Sequence, residues 1–197
     1  MNSARLAMKA LLALILSSAQ MAYAETALPQ VSSANSAPAK PLTKPCVAAE
    51  HRQFEFWIGD WDVTTPDGKP AGTNLIESIF GGCVLHENWR GRGGSVGQSF
   101  NVYDAKRKVW HQTWVDGQGA LLMLEGSFAN STMTLSDKGM PGKTDANVIN
   151  EISWTTLADG AVRQLWRTTA DGGKNWSVAF DGKYVRSSRV QPTSTAN

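Results

Sequence analysis

Histidine and cysteine are scarce in this chain of 197 residues, with three of the first and two of the second. His51, His86 and His111 never reach the i, i+4 helical spacing, and none sits in a cluster of carboxylates, so no metal site and no cofactor is expected. Cys46 and Cys83 lie too far apart for a C-x-x-C metal or redox pair, and a disulfide is the reading that remains. Closing that loop is worth about 4 kcal/mol in the chain-entropy account. An excess of one charge is missing too: 19 Lys and Arg face 17 Asp and Glu, and no basic face for nucleic acid is visible. No apolar run approaches the roughly 20 residues of a membrane helix.

The longest such run is at the start. Arg5 and Lys9 precede the apolar stretch Ala10 to Leu16, and Ala22-Tyr23-Ala24 suits a signal peptidase, so residues 1–24 read as a signal peptide. Its removal takes two basic residues and leaves 17 charges of each sign. The stretch ETALPQVSSANSAPAKPLTKP over 25–45 buries too little to offset the entropy of ordering it and is expected to be a flexible leader. The tail 187–197 has the same character. The expectation is an exported protein, periplasmic or secreted, with one domain over 46–186.

Within that domain one pattern recurs: six to ten residues rich in β-branched and aromatic side chains, then a Gly, Asp or Asn break. Ten strands follow, near 58–65, 72–80, 83–91, 97–104, 108–116, 119–128, 131–136, 147–156, 161–169 and 174–185. The breaks TPDGKP, VDGQG, FANS, LADG and TADGGK carry residues suited to positive φ. Short connections make sequence neighbours pair antiparallel, and a long meander leaves two costly edges unless it closes. The fold class is therefore all-β, an up-and-down antiparallel barrel of eight to ten strands. Phe54, Trp57 and Ile58 stand at helical spacing in the one stretch that breaks the pattern, so Ala49 to Trp57 is expected to form a helical turn closing one end.

The order glycine, any residue, tryptophan at Gly59-Asp60-Trp61, just after such a turn, resembles the lipocalin and wider calycin signature. That resemblance implies a barrel floor in which Trp61 packs under a basic residue of the last strand, a place that Arg186 would take. Phe54 and Trp57 would complete the closure. The longer set FEFWIGDWDV, GGCVLHENW, QSFNVYD, VWHQTWVDGQG, VRQLWRTTADGGKNW and FDGKYVR also resembles an uncharacterised family of exported bacterial proteins, which brings no activity with it. Some calycin barrels, the nitrobindins, hold haem through a late histidine. No histidine follows His111 here, and haem is not expected.

Alternate residues of a strand share a face. Trp110, Gln112, Trp114 and Asp116 form one such row; Leu85, Glu87 and Trp89 a second; Ser99, Asn101 and Tyr103 a third; Gln164 and Trp166 a fourth. Turned inward, these rows put flat aromatic walls beside a few polar groups, the make-up of a small-molecule pocket. The candidate ligand-binding set is Glu87, Trp89, Ser99, Tyr103, Trp110, Gln112, Trp114 and Trp166. A filled core, in which indole N–H groups simply find partners, uses the same residues and stays open as an alternative.

Glu87 stands out, because an acid between Leu85 and Trp89 is costly to bury without a partner. It has three outlets: an ion pair with Arg163 or Arg167, hydrogen bonds, or a raised pKa. Alternation sets both arginines on the face opposite Trp166, which disfavours the first. Gly93-Gly94-Ser95-Val96-Gly97 spells the G-x-S-x-G nucleophile elbow, yet QSFNVYD after it alternates as a strand where that elbow needs a helix. The function class that results is a binder of a small, partly apolar molecule rather than an enzyme. Glu87 is the weak candidate for general acid or base, and a structural or interaction protein is the third alternative. Nothing in the pattern fixes an oligomeric state.

Overall fold

The computed structural model describes residues 44–189. The expected signal peptide, nearly all of the expected leader and the end of the tail lie outside the described residues. Ten strands run β1 (Gly59–Thr64), β2 (Pro70–Ile79), β3 (Val84–Gly91), β4 (Val96–Asp104), β5 (Val109–Asp116), β6 (Leu121–Ala129), β7 (Thr132–Ser136), β8 (Ile149–Thr156), β9 (Val162–Thr169) and β10 (Ser177–Arg186). Each pairs antiparallel with its sequence neighbour, and β10 returns to β1 through Trp61 opposite Arg186 and Val63 opposite Tyr184. The sheet is thus a closed up-and-down barrel with no free edge, which removes the unpaired N–H and C=O groups that an open meander would expose.

Local chemistry makes the hairpins. Asn130 and Ser131 both take positive φ, 50° and 60°, the two-residue turn that matches strand twist between β6 and β7. The Asp116 carboxylate accepts from the backbone N–H groups of Gln118 and Ala120 at 2.9 Å and shapes the β5–β6 turn. In the β9–β10 hairpin Asp171 accepts from Asn175 N–H at 2.9 Å and Asn175 Nδ2 at 2.7 Å. These bonds hold its carboxyl down at about 2, and neutralising it costs the turn its cap.

One end of the barrel is plugged. Two successive 3-10 turns, Ala49–Arg52 and Glu55–Trp57, occupy the stretch where a single helical turn was expected. Phe54 and Trp57 between them are fully buried. Phe54 stacks on Trp57 with centroids 5.0 Å apart and meets Trp110 at 5.7 Å and Trp154 at 5.2 Å edge-on. Trp61 donates its indole N–H to the Trp57 carbonyl at 2.8 Å. The Arg186 guanidinium lies 4.0 Å from the Trp61 ring centroid and donates to the Ile58 carbonyl at 2.6 Å. Gly59, at φ 149°, permits that approach, since a Cβ there would stand 1.7 Å from Arg186 Nη1. Cys46 and Cys83 form the disulfide, and Arg52 donates to the Cys46 and Gly82 carbonyls at 2.8 and 2.7 Å beside it. The plug is thereby stapled to the β2–β3 connection.

The charged side chains of β9 and β10 lie outside. Arg163 pairs with Asp181 at 2.6 Å and Arg167 with Glu151 across neighbouring strands, and Lys183 pairs with Asp159 of the β8–β9 turn at 2.7 Å. Such exposed pairs contribute little stability, but they fix which face of β9 and β10 is wet. Among the described residues no helix is long and apolar enough to cross a membrane.

Candidate functional site

Strand alternation turns Glu87, Ser99, Asn101, Gln112 and Gln164 inward, where each is buried. They form one polar belt halfway along the lumen. Asn74 Nδ2 donates to Glu87 Oε1 at 2.7 Å, and Ser99 Oγ donates to Glu87 Oε2 at 2.6 Å. Gln112 Nε2 donates to Asn101 Oδ1 at 2.8 Å, and Asn101 Nδ2 donates to Ser99 Oγ at 2.9 Å. On the other side Asn74 Nδ2 reaches the Tyr184 oxygen at 3.4 Å, and the Tyr184 hydroxyl donates to Gln164 Oε1. The belt spans β9, β10, β2, β3, β4 and β5. Its members satisfy one another, except that Asn74 Oδ1 has no partner among the described residues.

Glu87 is 4% exposed and has no cationic partner among the described residues. Arg163 and Arg167 point outward to Asp181 and Glu151, so the ion pair weighed for them is not formed. Burial raises the Glu87 carboxyl from 4.5 to about 6, against the opposing pull of the Ser99 and Asn74 hydrogen bonds and the nearby His86. Burial also lifts the Tyr184 hydroxyl well above its usual value, and the charge of Glu87 adds to that. Tyr184 therefore stays a neutral donor.

The lumen divides at this belt. Toward the plug it is solid: Leu85, Trp110, Leu124, Met133 and Trp154 pack with Phe54 and Trp57. Toward the other end it opens into a cavity of about 330 Å³ lined by Glu87, Gln112, Gln164 and Tyr184 at depth and by Trp89, Trp114, Leu122, Trp166 and Phe180 above. Neither the empty lumen nor the filled core describes the whole molecule. The packed half results from the plug, whose aromatic rings occupy the bottom of the barrel.

Three inward-facing glycines keep the upper half clear. A Cβ on Gly97 would stand 2.2 Å from the Trp114 ring, one on Gly72 2.7 Å from the Trp89 ring, and one on Gly182 2.6 Å from the Phe180 ring. Each ring therefore lies along the wall, Trp114 and Trp89 over the neighbouring strand and Phe180 over its own, instead of reaching across the lumen. Trp166 is fixed differently. Its indole N–H donates to Asn150 Oδ1 at 3.0 Å, and Asn150 Nδ2 donates to Asp137 Oδ2 at 2.8 Å, with Lys143 Nζ 2.7 Å from the same carboxylate. That chain ties the wall to the long β7–β8 connection.

Of the eight residues read from sequence as ligand-binding, Glu87, Trp89, Gln112, Trp114 and Trp166 line this cavity. Ser99 stands behind Glu87 as its hydrogen-bond donor. Trp110 and Tyr103 lie lower, with their ring centroids 5.9 Å apart, and Trp110 donates to Gln53 Oε1 at 3.2 Å. Both belong to the plugged end, because the second residue of β5 and the eighth of β4 are near the closed rim. Sequence reasoning missed Asn74, Trp154, Phe180 and Tyr184. Trp154 and Ile152 share a row on β8 that alternation alone would have picked out. Ser95 of the G-x-S-x-G run lies at the cavity mouth in the β3–β4 hairpin, and β4 follows it directly without a helix. Among the described residues no group of three or more His, Cys, Asp or Glu is arranged to hold a metal.

No protein-family model matches this chain, and no curated protein is similar enough to lend it a role.

Proposed function

We propose that this barrel binds a small, partly apolar molecule in the open half of its lumen. The observation that carries the reading is the cavity of about 330 Å³ between Glu87, Gln112, Trp114 and Trp166. A volume at the low end of the range for ligand pockets suits a compact ligand, and aromatic walls over a polar base suit a molecule with one polar end. Export to the periplasm or beyond belongs to the same proposal: the disulfide suits an oxidising compartment, and the amino-terminal sequence reads as a signal. Likeness to the calycin barrels rests on Gly59, Trp61 and Arg186, kinship with exported bacterial proteins rests on the longer set of motifs from FEFWIGDWDV to FDGKYVR, and both stand as part of this reading.

Organic extraction of the purified protein followed by mass spectrometry tests it. A small molecule is expected from the native protein and none from W114A. Equal recovery from both removes Trp114 from the walls. If the native protein releases nothing and toluene-sized aromatics leave its tryptophan fluorescence unchanged, the binding reading falls.

A second reading makes the protein an enzyme with Glu87 as general acid or base. Its support is a carboxyl raised to about 6 inside a cavity, where acid–base groups are commonly tuned. Against it, both carboxylate oxygens already accept from Asn74 and Ser99. Turnover whose rate follows one acid near pH 6 and vanishes in E87Q would establish catalysis; binding without turnover leaves the carrier.

A further inference from the structure

We propose that the lumen selects organic cations, an ammonium group seated among the indole rings above Glu87; this rests on the binding reading and names its ligand class. The argument begins with charge. Fourteen residues line the cavity, and Glu87 is the only one of them with a side chain that is charged at neutral pH; no Lys, Arg or His is among them. The inward rows below it add none, since Trp61, Val63, Asn74, Ile76, Leu85, Trp110, Leu124 and Met133 are all uncharged. The protein's own cations near this wall are already committed outside, Arg163 to Asp181 and Arg167 to Glu151.

A carboxylate is thus set in an apolar cage with only neutral donors, Asn74 and Ser99. A buried charge without a counter-charge is unfavourable. An anionic ligand would worsen it, and a neutral one would leave it as it is. A cation alone relieves it.

The walls point the same way. Trp89, Trp114, Trp154, Trp166 and Phe180 surround the space, and a cation within about 6 Å of an aromatic face is attracted by the ring quadrupole, most strongly by tryptophan. Because Trp114, Trp89 and Phe180 lie along the wall over Gly97, Gly72 and Gly182, the middle of the cavity is left for the ligand head. Aromatic rings joined to a single acid form a receptor for a quaternary or protonated amine.

Charge can be separated from shape with phenyltrimethylammonium and tert-butylbenzene, which share an outline and differ in charge, and with the anion 4-tert-butylbenzoate. Calorimetric titration of the wild-type protein at pH 7.5 is expected to give the ammonium at least tenfold tighter binding than its neutral isostere, with the benzoate weakest. E87Q should lose that preference while still binding tert-butylbenzene. Lowering the pH to 5 should weaken the ammonium about tenfold and leave tert-butylbenzene unchanged, as Glu87 takes up its proton. The groups around Glu87 that titrate are Tyr184 on β10 and His86 on the outer face; Asn74, Ser99 and Gln112 from β2, β4 and β5 do not. H86Q is accordingly expected to keep the pH response. Equal or tighter binding of tert-butylbenzene or the benzoate overturns the cation proposal and leaves the binding reading standing. If none of the three binds, both fall.

Discussion

The strongest consequence of the lumen is that Glu87 should make the ligand-free protein less stable as pH rises. Its carboxyl lies at about 6 in the folded protein against 4.5 as an ordinary glutamate. Below 4.5 the group is protonated in both states, and its burial carries no charge. Between 4.5 and about 6 the unfolded chain ionises first, so stability falls with pH. Above that window the loss is complete and amounts to about 2 kcal/mol, a sizeable share of the net stability of a single domain.

E87Q removes the titration and keeps the shape. Ser99 Oγ can donate to the new amide oxygen as it does to the carboxylate. The new amide nitrogen needs an acceptor, and the Asn74 Oδ1 oxygen is one that receives no hydrogen bond among the described residues. Turning the Asn74 amide end for end supplies one. Urea unfolding of the two ligand-free proteins at pH 4, 5.5 and 7.5, followed by tryptophan fluorescence, isolates the effect, because the remaining carboxylates cancel in the difference. Relative to wild type, E87Q is expected to gain about 2 kcal/mol between pH 4 and pH 7.5. A difference that stays flat across this range, or that moves in favour of the wild type with rising pH, would refute the claim that Glu87 is buried without a counter-charge.

Two further substitutions examine the packed and the open halves separately. F54A removes the ring that joins Trp57, Trp110 and Trp154 and is expected to cost about 3–5 kcal/mol in chemical denaturation; a loss below 1 kcal/mol would mean the plug is not part of the core. G97A puts a Cβ 2.2 Å from the Trp114 ring and should push that indole into the lumen, costing about 1–3 kcal/mol and weakening tert-butylbenzene binding at least tenfold. Undiminished binding in G97A would show that Trp114 does not bound the cavity.

The strand pattern was legible because alternation and turn chemistry agree. Gly68, Gly119, Asn130, Gly160 and Gly172 all take the positive φ that their breaks called for, and all ten strands form within a few residues of the expected places. The face of each strand was less legible. On β2 hydrophobicity alone would turn Leu75 inward, yet Asn74 is buried and Leu75 is on the outer row. The reason is Glu87, which sits on the neighbouring strand and needs a donor. On β4 and β5 the rows holding Ser99 and Gln112 do face inward, a choice that alternation left open, and their depth was not legible at all. Trp110 and Trp114 share a face, and only the position of the plug makes one a floor residue and the other a wall.

By itself the sequence determined a closed meander, its turns and its aromatic stopper, since these depend on neighbours a few residues apart. The division of the lumen into a packed half and an open half was decided by the tertiary structure alone. It depends on rings from one strand resting over glycines of another, and on an acid finding its donors on the two strands beside it. No pattern within one strand encodes distances of that kind, because they are set by the register between strands and, for Asn74 and Tyr184, by the closure of β10 on β1.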